Sequence, residues 1–189
     1  MSDASPFTPE QRATLHVAVG RKRALMRPAR VASFNGWTVG LFGALSVVWG
    51  LVAGWSGVVI GAALLAVSWN ELRGARRLQA LDPQGATLLG WNQLILGGVI
   101  ALYCVYSIAS ARMAPDPSMQ EMVEMAGIPA DLIGGLTTIL YGAVLVIVTL
   151  VQLLLARYHF RAKAKVEAFR QETPRWIVEL LAGPDPSRR

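Results

Sequence analysis

From Val31 to Asn70 the chain runs for 40 residues without a charged side chain. A helix needs about 20 apolar residues to span the ~30 Å hydrocarbon core of a bilayer, so this stretch is long enough to cross twice. The crossings are predicted at about 34–53 and 57–69, joined by Gly54-Trp55-Ser56-Gly57. The second is short, which makes a re-entrant loop a competitor. Such a loop would leave Arg73, Arg76 and Arg77 on the outer side, against the rule that basic residues stay cytoplasmic, so two full crossings are preferred.

Two further charge-free runs follow the same logic. Pro83 to Ala111 holds 29 uncharged residues and a third span at about 91–108, and Leu132 to Ala156 holds 25 uncharged residues and a fourth span. The 189 residues are 53% hydrophobic and only 16% charged, a balance unlike that of soluble globular domains. The fold class expected is an all-α integral membrane protein: four transmembrane helices in two hairpins, with amphipathic cytoplasmic helices and helix extensions.

Charge sets the orientation. Arg12, Arg21, Lys22, Arg23, Arg27 and Arg30 precede the first span, against Asp3 and Glu10. Arg73, Arg76 and Arg77 follow the second, and Arg157, Arg161, Lys163, Lys165 and Arg170 follow the fourth. Between the third and fourth spans stand Arg112 and four acids, Asp116, Glu121, Glu124 and Asp131. Both termini are therefore expected in the cytoplasm, of a bacterial inner membrane. The expected organisation is a cytoplasmic helical segment over 1–33, a first hairpin over 34–69, a cytoplasmic helix and turn over 70–90, a second hairpin over 91–156 with an outer loop at 112–131, and a cytoplasmic helical segment over 157–189. No cleavable signal peptide is expected, because the first 30 residues hold no apolar core.

Local signals place the helix ends. Thr8 with Pro9 and Gln11 reads as a capping box with proline at the first position, starting a helix that Arg27-Pro28 should stop near Met26. The second span should continue as a helix to about Leu81 and end at the turn Asp82-Pro83-Gln84-Gly85. Asp116, Pro117 and Gly127 mark a short helix in the outer loop. The fourth helix should extend past Ala156 to about Gln171. Thr173-Pro174 starts a last piece whose Trp176, Ile177, Leu180 and Leu181 fall on one face, suited to headgroups or to docking on the cytoplasmic extensions. A weaker pattern aligns Asn35, Gly40, Ala44 and Val48 with Asn92, Gly97, Ala101 and Val105 at a constant offset of 57, as a doubled hairpin would.

The formal charge of +6 invites a nucleic-acid reading, but the cations flank apolar runs without the aromatic interleaving that stacks bases, and no nucleic acid is expected. The cations Arg21, Lys22, Arg23, Arg73, Arg76, Arg77, Arg161, Lys163 and Lys165 are instead assigned to lipid headgroups. Cys104 is the one cysteine and reads as a buried, inert thiol.

No ionisable residue falls inside a predicted span, so the groups that proton-coupled carriers and intramembrane enzymes use at depth are missing from these stretches. His16 and His159 fall on the cytoplasmic side, and His159, between Arg157 and Arg161, reads as solvated. Asn35, Asn92 and Gln93 stand near the cytoplasmic boundary, where water is within reach. Small residues form the denser pattern. Gly36-x-x-x-Gly40, Gly50-x-x-x-Gly54 and Gly57-x-x-x-Gly61 each put two glycines on one helix face, allowing close approach within a hairpin or between copies. In the outer loop, Met119, Met122 and Met125 have the spacing of soft Cu(I) ligands, or of an amphipathic surface helix.

The function expected is that of a non-enzymatic polytopic membrane protein with a structural or accessory role, bound to the lipid bilayer and either self-associating or part of a larger membrane complex. No cofactor and no resident metal are expected. The alternative is a small channel or transporter built as an oligomer, with Cu(I) at the outer loop as its least supported form.

Overall fold

The computed structural model describes residues 7–113 and 130–183, and these are all helix or short connection. The expected outer-loop helix and Met119, Met122 and Met125 lie outside the described residues. Six helices follow in order: α1 Pro9–Leu25, α2 Arg27–Ala53, α3 Trp55–Gln79, α4 Pro83–Met113, α5 Ala130–Glu172 and α6 Arg175–Ala182. Four stretches of helix are long and apolar enough to cross a membrane.

The start of α1 follows its sequence signal. The Gln11 amide donates to Thr8 Oγ1 at 3.2 Å and the Thr8 amide to Gln11 Oε1 at 2.9 Å, so two backbone donors at the helix start find partners. The stop falls near Met26 as expected, with α1 ending at Leu25 and Met26 as its cap, but a new helix follows at once. Met26 stays helical in its backbone (φ −83°, ψ −4°), and Pro28 sits in the first turn of α2, where its missing N–H would have had no partner anyway. The link between α2 and α3 is also tighter than expected. Gly54 alone, at φ 141°, turns the chain, a conformation open to glycine.

After α3 the turn comes two residues early, at Ala80 and Leu81. Leu81 adopts φ 59°, and Asp82 Oδ1 accepts from the Gln84 amide at 2.9 Å, so that Pro83 opens α4 and does not sit inside a turn. The left-handed backbone at Leu81 costs about 1–2 kcal/mol, and the full burial of its side chain offsets this. The long continuation of the fourth span is as expected, with 43 residues in one helix, about 65 Å.

The chain divides into two compact units, residues 1–92 with 157–189, and residues 93–156. The first has an apolar core to which every helix contributes: Ala18 from α1, Ala29 and Ala32 from α2, Ala75 and Leu78 from α3, Ala86 and Leu89 from α4, Ala162, Val166 and Phe169 from α5, and Ile177 from α6. Away from that core α2 and α3 run side by side on glycine. A Cβ added at Gly50 would stand 2.3 Å from the Val58 amide nitrogen, and one at Gly61 would stand 2.6 Å from the Gly43 carbonyl oxygen. In the second unit α4 meets α5 where Gly97 lies against Gln152, and where the Tyr103 and Tyr141 rings cross edge to face at 5.9 Å.

Candidate functional site

In the first unit a polar layer lies where the charge-free part of α3 gives way to the apolar core. Glu71 and Asn92 stand one helical turn from Ala75 and Leu89, and His159 one turn from Ala162, so all three continue buried stripes. Two contacts tie the levels together. Asn92 Nδ2 donates to Glu71 Oε1 at 2.9 Å and to the Val67 carbonyl at 3.2 Å, and the Phe160 ring packs on Gly90, where a Cβ would meet it at 2.6 Å. On the α2 side Glu71 rests against Gly36, and Ser68 Oγ donates to the Gly36 carbonyl at 2.7 Å.

This arrangement corrects two expectations. His159 is 1% exposed, not solvated, and its Nδ1 has no hydrogen-bond partner among the described residues; Asn92 and Gln93 are buried at 3% and 1%. The reason is register, since neighbouring Arg157 and Arg161 point to solvent while His159 shares the face of Ala162, Val166 and Phe169. His159 lies beyond the last uncharged residue of the fourth span, and burial, which disfavours the charged imidazolium, pulls its pKa down to about 4. Spacing carried a signal for all three residues: 71, 75 and 78; 86, 89 and 92; and 159, 162, 166 and 169 each trace one helix face. His16 is exposed.

The nine cations assigned to headgroups separate into two groups. Arg21 pairs with Glu172 and lies 5.6 Å over the Phe169 ring, Lys22 Nζ donates to the Leu181 carbonyl at the end of α6, and Lys163 stands 3.9 Å from Glu167. Arg21 and Lys22 tie α1 to α5 and α6, whereas Lys163 pairs within α5, and partial burial lowers the pKa of Lys22. Arg23, Arg73, Arg76, Arg161 and Lys165 are exposed, and Arg77 is half-buried. Exposed aromatic side chains accompany them: Phe34, Trp37, Trp69, Trp91 and Tyr158.

The glycines read from sequence fall mainly on one seam. Gly36, Gly40, Gly50, Gly57 and Gly61 all face the partner helix of the α2–α3 pair, and Gly54 makes the turn with open space around it. Gly98, Gly134, Gly135 and Gly142, on α4 and α5, have no such neighbour within 4 Å. Gly40 and Gly97, which the offset-57 alignment pairs, lie against Ser68 and Gln152 respectively. Hydroxyl groups in the apolar stretches donate to helix carbonyls, Thr38 to Phe34 and Thr138 to Gly134. Among the described residues no three His, Cys, Asp or Glu side chains converge as a metal site would require. A cleft of about 720 Å³ lies at the α5–α6 turn, lined by residues that include Arg170, Glu172, Thr173 and Arg175.

No protein-family model, no curated protein and no solved structure matches the chain.

Proposed function

We propose that this protein is a non-enzymatic, four-span membrane protein with a structural or accessory role, arranged as two hairpins with both termini on the cytoplasmic face of a bacterial inner membrane. The observation that carries the reading is the glycine seam. Lipid tails are as apolar as leucine, so helices in a bilayer gain little from leaving them and associate through close backbone contact, which Gly43, Gly50, Gly57 and Gly61 supply to α2 and α3. With those glycines engaged inside the chain, the open Gly98, Gly135 and Gly142 are left for a second copy or a larger membrane partner. The orientation rests on the cations before the first span and after the second and fourth, with exposed aromatic residues at the same ends. A channel would need its polar side chains on a common axis, whereas Thr38, Ser68 and Thr138 donate to helix carbonyls.

The test compares two outward-facing variants with one in the seam, in mild detergent. Gly135→Leu and Gly142→Leu are expected to lower the stoichiometry of the purified complex, read by light scattering, while leaving the thermal midpoint near that of the parent. Gly50→Leu is expected to lower the midpoint. Unchanged stoichiometry and co-purifying chains in both outward variants would remove the association reading.

A further inference from the structure

On the face shared by α4 and α5 in the first unit, two arginines and two aromatic rings come together without an acid. Arg157 and Arg161 are one helical turn apart and both exposed, and Phe160 projects beside them to meet Trp91 edge to face at 6.3 Å. Gly90 makes that meeting possible, because a Cβ there would stand 2.6–2.9 Å from three atoms of the Phe160 ring. Trp91 remains 57% exposed. Among the described residues no carboxylate lies within 4.0 Å of either guanidinium, whereas Lys163, on the same helix, has Glu167.

Depth decides what such a pair can hold. Arg157 directly follows the 25 uncharged residues of the fourth span, and Trp91 stands at the start of the third, so both lie at the boundary between acyl chains and headgroups. Side chains at i and i+4 of a helix are neighbours about 6 Å apart, within reach of one phosphate, and guanidinium groups bind phosphate oxygens through paired N–H donors. The indole beside them offers an apolar face and a polar edge, matching the glycerol region of a lipid.

We propose that Arg157 and Arg161, with the Trp91–Phe160 pair, form a binding site for the phosphate headgroup of one anionic phospholipid. The site rests on the four-span reading, which brings this face to headgroup depth. It goes beyond general attraction of basic residues to the membrane, because it assigns retention to two arginines out of the exposed cations and to a surface shaped by a glycine.

Native mass spectrometry of the full chain in mild detergent, with phosphatidylglycerol or phosphatidylcholine added, tests it. The parent is expected to retain phosphatidylglycerol in preference to phosphatidylcholine. Each arginine at the surface contributes about fivefold, so Arg157→Gln/Arg161→Gln should weaken phosphatidylglycerol retention roughly 30-fold. Arg12→Gln/Arg27→Gln, which removes the same charge from two exposed positions outside the headgroup set, should leave it within about twofold. Gly90→Ala, which keeps both arginines but pushes the Phe160 ring, should weaken it several-fold. Equal losses in the two double variants would reduce the effect to net charge and overturn the site, as would equal retention of the two lipids by the parent. Impermeant labelling of a cysteine at position 76, in a background lacking Cys104, is read in parallel. Labelling from outside refutes the four-span orientation itself, whereas a lost site with position 76 still protected refutes the lipid site alone.

Discussion

The two compact units bury different things. In the unit of residues 1–92 and 157–189 the side chains shielded from solvent include Phe169, Leu78, Leu81, Leu89 and Ile177, the contents of a water-soluble core. In the unit of residues 93–156 the buried apolar side chains among the described residues are Leu96, Cys104 and Ala156, while Leu102, Leu136, Ile139, Leu140, Ile147 and Leu154 are exposed. The first unit covers apolar side chains only in that core, since Leu41, Leu45, Leu51 and Val52 of α2 are as exposed as the aliphatic residues of the second unit, so the chain is adapted to two solvents. Where water surrounds a helix, apolar burial at about 25 cal/mol per Å² stabilises the fold; where lipid does, that gain vanishes and backbone approach takes over.

Substitutions can break this contrast, and the largest effect belongs to the soluble-type core. Phe169→Ala should lower unfolding free energy by about 3–5 kcal/mol, read by denaturant titration in detergent, since the ring is 1% exposed and its cavity is walled by several helices. A loss under 1 kcal/mol would mean that this core contributes little.

Acid should act on the same unit. His159 has a folded pKa of about 4 against an ordinary 6.5, so it binds its proton more readily when unfolded. Its neutral form is fully accommodated above pH 6.5, and stability falls as pH drops from about 6.5 towards 4, by up to about 3 kcal/mol. Unfolding measured across that range, with His159→Gln as the comparison, should show a shallower acid slope in the variant; identical slopes would remove His159 from the account.

Asn92→Ala takes one donor from buried Glu71 and should cost about 1–3 kcal/mol, whereas Asn92→Asp places a second carboxylate beside it and should cost more. Thr8→Ala removes half of the capping box of α1 at about 1 kcal/mol, checked by the thermal midpoint. At the lower end stands Ile147→Ala in the other unit. With its side chain 61% exposed, it should change stability by less than about 0.5 kcal/mol in a bilayer or detergent, and a loss above 2 kcal/mol would place it in a protein contact.

Much of this could be read along the chain. The three charge-free runs set four apolar stretches of helix, because the period and length of apolar residues are local properties and a bilayer has a fixed thickness. The capping box at Thr8 and the long continuation of α5 were equally local, resting on backbone donors and on the lack of a breaker between Leu132 and Gln171. Proline was ambiguous. The sequence reads Pro28 as a stop and Pro83 as part of a turn, yet both stand in the first turn of a new helix, and a residue without an N–H suits either place.

What only tertiary structure decided is which face of each charged extension found a partner. Arg157, His159 and Arg161 look equally polar along the sequence, yet 100° per residue turns the histidine towards the stripe of Ala162 and Val166 while both arginines face outward. Glu71 likewise begins a basic extension, but Gly36 leaves room for it and Asn92, 21 residues later, supplies its hydrogen bond. Composition fixes the solvent that a helix needs. The burial of a carboxylate and an imidazole depends on the side chains opposite them, which distant parts of the chain provide.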